Sequence, residues 1–209
     1  MKLEARSLEC RRGDRVLFSG LDLALDAGEA LRLAGRNGSG KTSLLRMLCG
    51  LTQPEQGEVL WCGQNIRRHR EEFNSALVYL GHAAAIKDEL LAWENLAMSA
   101  AIAGRPVDED QACGALERLG LGAAVDLPAR ALSQGQRKRV ALARLTLAQD
   151  RPLWVLDEPF TALDAAAVQA LCETVDRHLA AGGMLIYTTH QEISLQARRH
   201  LRLELGGAA

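Results

Sequence analysis

The sequence lacks paired cysteines. It contains five cysteines, an odd number, at widely separated positions: Cys10, Cys49, Cys62, Cys113 and Cys172. No two of them form a C-x-x-C pair. A disulfide framework usually has an even number of cysteines and a zinc site has closely spaced pairs, so the pattern indicates reduced thiols in a cytosolic protein. The lack of a C-x-x-C-H segment also excludes a covalently attached c-type haem.

Long hydrophobic runs are absent as well. Charged residues interrupt every apolar run well before the roughly 18 residues that a membrane-spanning helix requires. The N-terminal segment MKLEARSLECRR has no apolar stretch of about 7–15 residues, which a secretory signal would need. We therefore expect a chain that neither crosses a membrane nor leaves the cytoplasm by itself.

The chain carries no excess charge of either sign. Its 25 Lys and Arg residues and 26 Asp and Glu residues give a formal net charge of −1. A nucleic-acid binder usually shows a basic stripe, so no nucleic-acid partner is expected. The local basic clusters at 67–70 and 137–139 are interpreted as solvated surface.

A length of 209 residues and a hydrophobic content of 48% predict one globular domain with a large core. Strands and helices alternate, which predicts an α/β fold with a mostly parallel sheet. The N-terminal strands alternate at period two and are expected to pair antiparallel. Expected strands cover 3–8, 15–25, 30–34, 58–62, 76–80, 153–156, 184–189 and 199–205, with a basic polar run at 64–75. Expected helices cover 43–51, much of 90–124, 133–149 and 164–179, with a loop at 120–130. We expect a core of about 1–88 and 150–209, with an inserted helical subdomain of about 89–149.

A glycine-rich loop carries the strongest chemical signal. Gly35 to Thr42 fits G-x-x-x-x-G-K-[ST], with an apolar strand before it and a helix after it. Glycines there let main-chain N–H groups converge on phosphate oxygens, and the helix adds its positive dipole end. Lys41 would reach the β- and γ-phosphates and Thr42 would ligate Mg²⁺, but the loop alone does not distinguish a kinase from an ATPase or GTPase. A glycine turn that binds nothing is the alternative. The predicted phosphate-binding residues are Gly35, Arg36, Asn37, Gly38, Ser39, Gly40, Lys41, Thr42 and Ser43.

An apolar strand at 153–156 ends in two carboxylates, Asp157 and Glu158. Ligands of open α/β sheets bind at the carboxyl ends of strands, so Asp157 is expected to hold Mg²⁺ through its water shell. Glu158 can orient or deprotonate an attacking water. The alternative is a strand-end acidic turn with Glu158 solvated.

Another apolar strand ends in Thr188, Thr189 and His190. If this end lies at the same sheet edge, a neutral His190 imidazole could hydrogen-bond the γ-phosphate. A purely structural histidine is the alternative.

The segment Leu132-Ser-Gln-Gly-Gln136 opens a predicted helix and has two interpretations. Ser133 with Gln136 three positions later is a capping box. The same helix start could also form a second anion site that closes over the nucleotide of another subunit.

Together these motifs resemble the ATP-binding cassette (ABC) ATPases. The matches are the Walker A loop at 35–42, the signature LSQGQ at 132–136, Walker B at 153–158, the D-loop at 162–164 and a switch histidine at 190. The resemblance implies a RecA-like P-loop NTPase core that binds ATP and Mg²⁺ and works as a homodimer. Further contacts to ATP across that dimer would come from Ser133, Gln134, Gly135, Gln136 and Asp164.

The chain departs from the family pattern at two positions. Arg12 stands where an aromatic residue usually stacks on adenine, and a guanidinium plane can stack too. His82, in Tyr79-Leu-Gly-His82, stands where a glutamine usually contacts Mg²⁺ and water.

The second departure, with the segments at 79–96 and 17–23, resembles the branch of the family that serves cytochrome c maturation. That branch implies membrane-spanning transporter subunits of the cytochrome c maturation system as partners. The chain would then sit peripherally at the cytoplasmic face of the bacterial inner membrane and couple ATP hydrolysis to haem export or delivery. The alternatives are the ATPase of another small-substrate exporter, a non-transport ABC protein and a small-molecule P-loop kinase.

Overall fold

The computed structural model describes residues 1–206, which fall into two compact units. The first unit contains Met1–Tyr79, Arg151–Glu158 and the segment from Arg177 onward. The second contains Leu80–Asp150 and Pro159–Asp176. The expected boundaries of a core and a helical subdomain, near residues 89 and 150, stay a prediction.

An antiparallel sheet of four strands begins the first unit, in the order β2-β1-β4-β5. The strands are β1 (Lys2–Arg12), β2 (Arg15–Asp26), β4 (Gln56–Trp61) and β5 (Gln64–Asn65). Residues such as Leu3, Leu8 and Leu25 point to the core and are fully buried. The expected antiparallel pairing of the N-terminal strands is confirmed.

A second sheet of five strands has the order β6-β7-β8-β3-β9. The strands are β3 (Glu29–Gly35), β6 (Leu77–Leu80), β7 (Leu153–Leu156), β8 (Met184–Thr188) and β9 (Arg199–Leu205). Strand β3 runs parallel to β8 and β9, and β7 runs parallel to β8. Every residue of β7 and β8 is buried, as continuous apolar runs require in a sheet covered on both faces. The predicted α/β fold with a mostly parallel sheet is confirmed.

The first unit contains two short helices, one of which was not expected. Helix α1 (Lys41–Leu48) buries four apolar side chains in the core. Helix α2 (Arg70–Ala76) and strand β5 fall largely in the basic polar run 64–75, where the sequence predicts neither element. Phe73 is the buried residue of α2, with its ring centroid 5.9 Å from that of Trp61, and Ala76 packs partly buried against the same core. Two apolar residues leave too short a periodic signal to predict a helix from the sequence.

The second unit is mainly helical, with α3 (Ala92–Ile102), α4 (Glu109–Glu117) and α5 (Gln134–Leu142). Helix α6 (Ala165–Ala180) begins in this unit. The expected helix 133–149 is shorter than predicted, because the chain tightens into a 3₁₀ helix at Ala143–Leu147. The Thr146 hydroxyl donates to the Ala143 carbonyl at 2.8 Å, an i−3 bond that suits the tighter turn. The loop expected at 120–130 includes a 3₁₀ turn at Gly122–Ala124.

Within residues 1–206, no helix is both long enough and apolar enough to cross a bilayer.

Candidate functional site

The carboxyl ends of three neighbouring parallel strands of the first unit carry the predicted chemistry. Strand β3 leads into the phosphate loop, which we define as Gly35–Thr42. Strand β7 leads into Asp157 and Glu158, and β8 ends at Thr188, two residues before His190. Since β3, β8 and β7 are adjacent and parallel, these residues lie at one edge of the sheet, as the sequence indicates.

The start of the phosphate loop has no space for a side chain. A Cβ on Gly35 would lie 2.3 Å from the Leu205 carbonyl oxygen and 2.7 Å from Ser39 Oγ. Its φ of 134° also favours glycine. Lys41 Nζ donates to the Gly35 carbonyl at 2.6 Å and to the Arg36 carbonyl at 3.2 Å. The ammonium group is therefore held against the loop.

The loop has the features of an anion site. Helix α1 starts after Gly40, which provides no side-chain cap, and its first turn contains no acidic residue. The N–H groups of that turn can therefore donate to a ligand, and the helix dipole favours an anion there. Ser39 Oγ is buried and makes no hydrogen bond within the described residues. A buried hydroxyl costs free energy unless it is bonded, so it fits an oxygen of a bound phosphate.

Asp157 is 4% exposed and accepts a hydrogen bond on each carboxylate oxygen. Thr42 Oγ1 donates to Oδ2 at 3.0 Å, and Thr188 Oγ1 donates to Oδ1 at 2.7 Å. The hydroxyl of Thr42 and the carboxylate of Asp157 are hard oxygen donors, which Mg²⁺ prefers, and Mg²⁺ needs only one or two such protein ligands beside substrate phosphates. As a pair of hard oxygen donors 3.0 Å apart, Thr42 Oγ1 and Asp157 Oδ2 fit Mg²⁺ in the presence of a phosphate.

Thr188 was not assigned a role from the sequence. Its hydroxyl also accepts a hydrogen bond from the Glu158 main-chain N–H at 2.8 Å. The only signal available in the sequence is a hydroxyl residue at the end of an otherwise apolar strand, Met184–Thr188.

Glu158 is held beside His190 at the end of β7. Its Oε1 lies 3.4 Å from His190 Nε2, and the Glu158 side chain is 15% exposed against 62% for His190. The φ of Glu158 is 51°, in the left-handed region, where a residue with a side chain is strained by about 1–2 kcal/mol. The carboxylate can accept a proton from a water in this position, and the imidazole can orient it.

The environment of the Tyr79 phenol shows the effect of the Asp157 charge. Burial raises the pKa of Tyr79 above its ordinary value, and the negative charge of Asp157 raises that pKa further. The phenol therefore remains neutral at physiological pH.

The signature segment, Leu132–Gln136, lies in the second unit and starts α5. Gln136 N donates to Ser133 Oγ at 3.2 Å, and Ser133 N donates to Gln136 Oε1 at 2.8 Å. The predicted capping box is confirmed. The second interpretation, an anion site at the same helix start, stays a prediction, and both Ser133 and Gln134 are exposed.

The D-loop contacts the signature segment within the second unit. A Cβ on Gly135 would lie 2.6 Å from the Ala162 carbonyl oxygen. Ala162 has a φ of 64°, and Asp164 Oδ1 accepts a hydrogen bond from Ala167 N at 2.8 Å. Asp164 therefore caps the start of α6.

The two positions that depart from the family pattern are both exposed. Arg12 is the last residue of β1 in the first unit, and His82 follows β6 in the second unit. The predicted site residues are thus divided between the units. The phosphate loop, Ser43, Asp157, Glu158 and His190 lie in the first, whereas His82, Ser133–Gln136 and Asp164 lie in the second.

Comparisons with known proteins show what the whole chain is similar to. The family model described as "ABC transporter" matches residues 18–161. The "Cytochrome c biogenesis ATP-binding export protein CcmA" of Aromatoleum aromaticum is 58% identical over 91% of this chain and 89% of its own length. The protein of the same name from Dechloromonas aromatica is 53% identical over 98% of this chain and all of its own length.

Solved structures show the same fold. A putative ABC transporter ATP-binding protein from Pyrococcus furiosus has a TM-score of 0.83 and 24% identity, covering 98% of each chain. A dimeric ATP-binding cassette in a post-hydrolysis state with ADP and Pi has a TM-score of 0.81 and 21% identity, covering 97% of this chain and 96% of that one. These likenesses confirm the predicted P-loop NTPase fold.

Proposed function

The chain belongs to the ABC transporter family, and we propose that it is the ATP-hydrolysing subunit of an export complex in cytochrome c biogenesis. One observation carries the ATPase assignment: the phosphate loop, a hydroxyl–carboxylate pair and a largely buried Glu158 meet at one sheet edge. The two CcmA proteins, at 58% and 53% identity, support the cytochrome c branch.

The phosphate loop would bind the β- and γ-phosphates of ATP. Its main-chain N–H groups and the start of α1 provide donors, and the Ser39 hydroxyl provides one more. Lys41 Nζ now donates to the loop carbonyls of Gly35 and Arg36 and would exchange these bonds for phosphate oxygens. Charged donors to phosphate are stronger than neutral ones, so Lys41 would contribute most to affinity.

Thr42 and Asp157 would hold Mg²⁺, with Asp157 acting through bound water. When bound, Mg²⁺ would neutralise negative charge on the β- and γ-phosphate oxygens. The 3.0 Å hydrogen bond between Thr42 Oγ1 and Asp157 Oδ2 holds these two oxygen atoms next to each other, where both can face one metal ion.

Glu158 would act as the general base on the attacking water. The carboxylate takes the water proton as the oxygen attacks the γ-phosphate, and ADP leaves. His190, 3.4 Å from Glu158 Oε1, would hydrogen-bond the γ-phosphate and keep the carboxylate oriented. Transfer of the γ-phosphoryl group to water, with no second substrate, is hydrolysis.

We propose that the working unit is a homodimer formed on ATP binding. The signature segment of one copy would contact ATP held by the phosphate loop of the other. Gln136 N–H is bonded within the capping box, so the remaining exposed donors at the start of α5 would face the phosphate. The D-loop residue Asp164 would lie beside them, because Gly135 and Ala162 are in contact.

Membrane-spanning subunits of the cytochrome c maturation system would be the partners, with the chain bound peripherally at the cytoplasmic face of the bacterial inner membrane. A tagged chain purified from membranes should bring these subunits along, and the complex should release phosphate from ATP without any acceptor. Cells that lack the chain should lose haem-stained c-type cytochromes. Conversion of ATP to ADP only with an added small-molecule acceptor, with the phosphoryl group transferred to that acceptor and no phosphate released, would instead identify a kinase.

His82 would link the nucleotide site to the membrane partners. The segment after His82 is tied to α3, because buried Asn95 accepts from Lys87 N at 2.8 Å and donates to the Lys87 carbonyl at 3.0 Å. A change at His82 can therefore reach α3 through a fixed connection.

We expect His82→Ala to reduce partner-stimulated ATPase activity at least about fivefold, a coupling of roughly 1 kcal/mol, with unchanged ATP binding. The measurement compares ATP hydrolysis by the isolated chain and by the membrane complex. His69→Ala, at another exposed histidine, is the control. Equal stimulation of wild type and His82→Ala would contradict the proposal.

A further inference from the structure

We propose that Thr188 is a positioning residue that sets both Asp157 and Glu158 for hydrolysis. This inference rests on the proposed function, since it concerns the same site. Thr188 is 0% exposed and ends β8. In the parallel pairing of β7 with β8, Leu156 stands opposite Tyr187, so the next position places Thr188 opposite Asp157.

A single hydroxyl makes two bonds that only a hydroxyl can combine. Thr188 Oγ1 donates its proton to Asp157 Oδ1 at 2.7 Å and accepts from Glu158 N–H at 2.8 Å. The carboxylate of Asp157 and the peptide that carries Glu158 are thereby fixed to the same atom. A valine of the same shape could make neither bond.

The bond to Asp157 decides which carboxylate oxygen faces the phosphate loop. Oδ1 is taken by Thr188, and Oδ2 is directed to Thr42 at 3.0 Å. When Thr42 exchanges this bond for a metal, the Thr188 bond still holds the carboxylate plane. Without Thr188, the Asp157 carboxylate could rotate about χ2, because the χ2 angle of aspartate has a broad distribution.

The bond to the Glu158 peptide stabilises a strained conformation. Glu158 has a φ of 51°, and such a conformation persists only where its surroundings hold it. The Glu158 carboxylate reaches His190 from this conformation, at 3.4 Å. Loss of the Thr188 hydroxyl therefore changes the position of the base more than the binding of nucleotide.

The test uses Thr188→Val, Thr188→Ser and Thr188→Ala in the full chain, with Thr174→Val as control. Thr174 is also buried, and its hydroxyl donates to the Ala170 carbonyl in α6. Thr188→Val should lower kcat about 10–100-fold, as expected when buried polar groups lose a partner. ATP affinity measured in EDTA should stay within about twofold, and the Mg²⁺ concentration for half-maximal activity should rise. Thr188→Ser should keep kcat within about threefold of wild type.

A second readout does not depend on turnover. Hydrogen exchange of the peptide 153–160 in the nucleotide-free protein should be faster in Thr188→Val, because the Glu158 amide loses its acceptor. Thr188→Ser and Thr174→Val should leave that exchange rate unchanged. If Thr188→Val does not fold, the Ser and Ala variants decide the matter by the same two measurements.

The two proposals fail in different ways. If wild type does not hydrolyse ATP, the proposed function is wrong. If wild type hydrolyses ATP and Thr188→Val, or Ala where Val does not fold, matches it in kcat and in exchange, Thr188 has no positioning role. Equal losses in Ser and Ala would also overturn the proposal, because they would show that the methyl group and not the hydroxyl is needed.

Discussion

Replacing Glu158 with glutamine is expected to slow ATP hydrolysis by about 100–10,000-fold, the usual contribution of a general base. Glutamine keeps the volume of the side chain and can still hydrogen-bond His190, 3.4 Å from Glu158 Oε1. It cannot take a proton from water. Since the base acts in the transition state, ATP affinity should stay close to that of wild type.

The same substitution should trap the ATP-bound dimer, because the step that consumes ATP is slowed and binding is retained. Single-turnover phosphate release, ATP titration and size-exclusion chromatography with ATP measure the three effects. Glu192→Gln is the matched control: Glu192 is exposed and lies 3.4 Å from Arg32, so its loss should leave kcat within about twofold. Normal turnover in Glu158→Gln would remove Glu158 from the role of base.

Much of this sheet edge follows from strand patterns in the sequence. Apolar runs that end in Asp157, or in Thr188 to His190, predict buried parallel strands, and parallel strands present their carboxyl ends together. The phosphate loop is equally readable, since its fixed positions are local. These features depend only on residues close in sequence.

Features that depend on residues distant in the chain could not be predicted from the sequence. The Thr188 hydroxyl meets Asp157 across 31 positions of sequence, and a threonine at a strand end looks the same whether or not a carboxylate faces it. Helix α2 was not predicted because it is short and Phe73 is its one buried residue. The contact between Gly135 and Ala162 also joins separate segments, and neither residue type indicates this contact in the sequence.

The second large effect concerns the signature segment, and it is expected from Gly135→Ala. The added Cβ would lie 2.6 Å from the Ala162 carbonyl oxygen. Cβ atoms in proteins do not approach other heavy atoms this closely, so the start of α5 or the D-loop must shift. We expect hydrolysis to fall about 100-fold through displaced donors, with ATP binding to the phosphate loop retained. Gly114→Ala in α4 is the control, because its Cβ would meet nothing within 4 Å. That variant should be as active as wild type and equally stable or more so. A Gly135→Ala variant with normal turnover would contradict a role for the signature segment.

Pairing Gly135→Ala with Lys41→Ala tests whether the ATP site is shared between two chains. Each variant alone should lose about 100-fold in hydrolysis. In a heterodimer isolated through two different tags, one site joins the intact phosphate loop of the Gly135→Ala chain to the intact signature segment of the Lys41→Ala chain. The other site carries both changes. Hydrolysis should therefore return to roughly half the wild-type rate if the sites of a two-fold dimer are shared. If each chain instead built its own site, both sites of the heterodimer would remain defective and no activity would return.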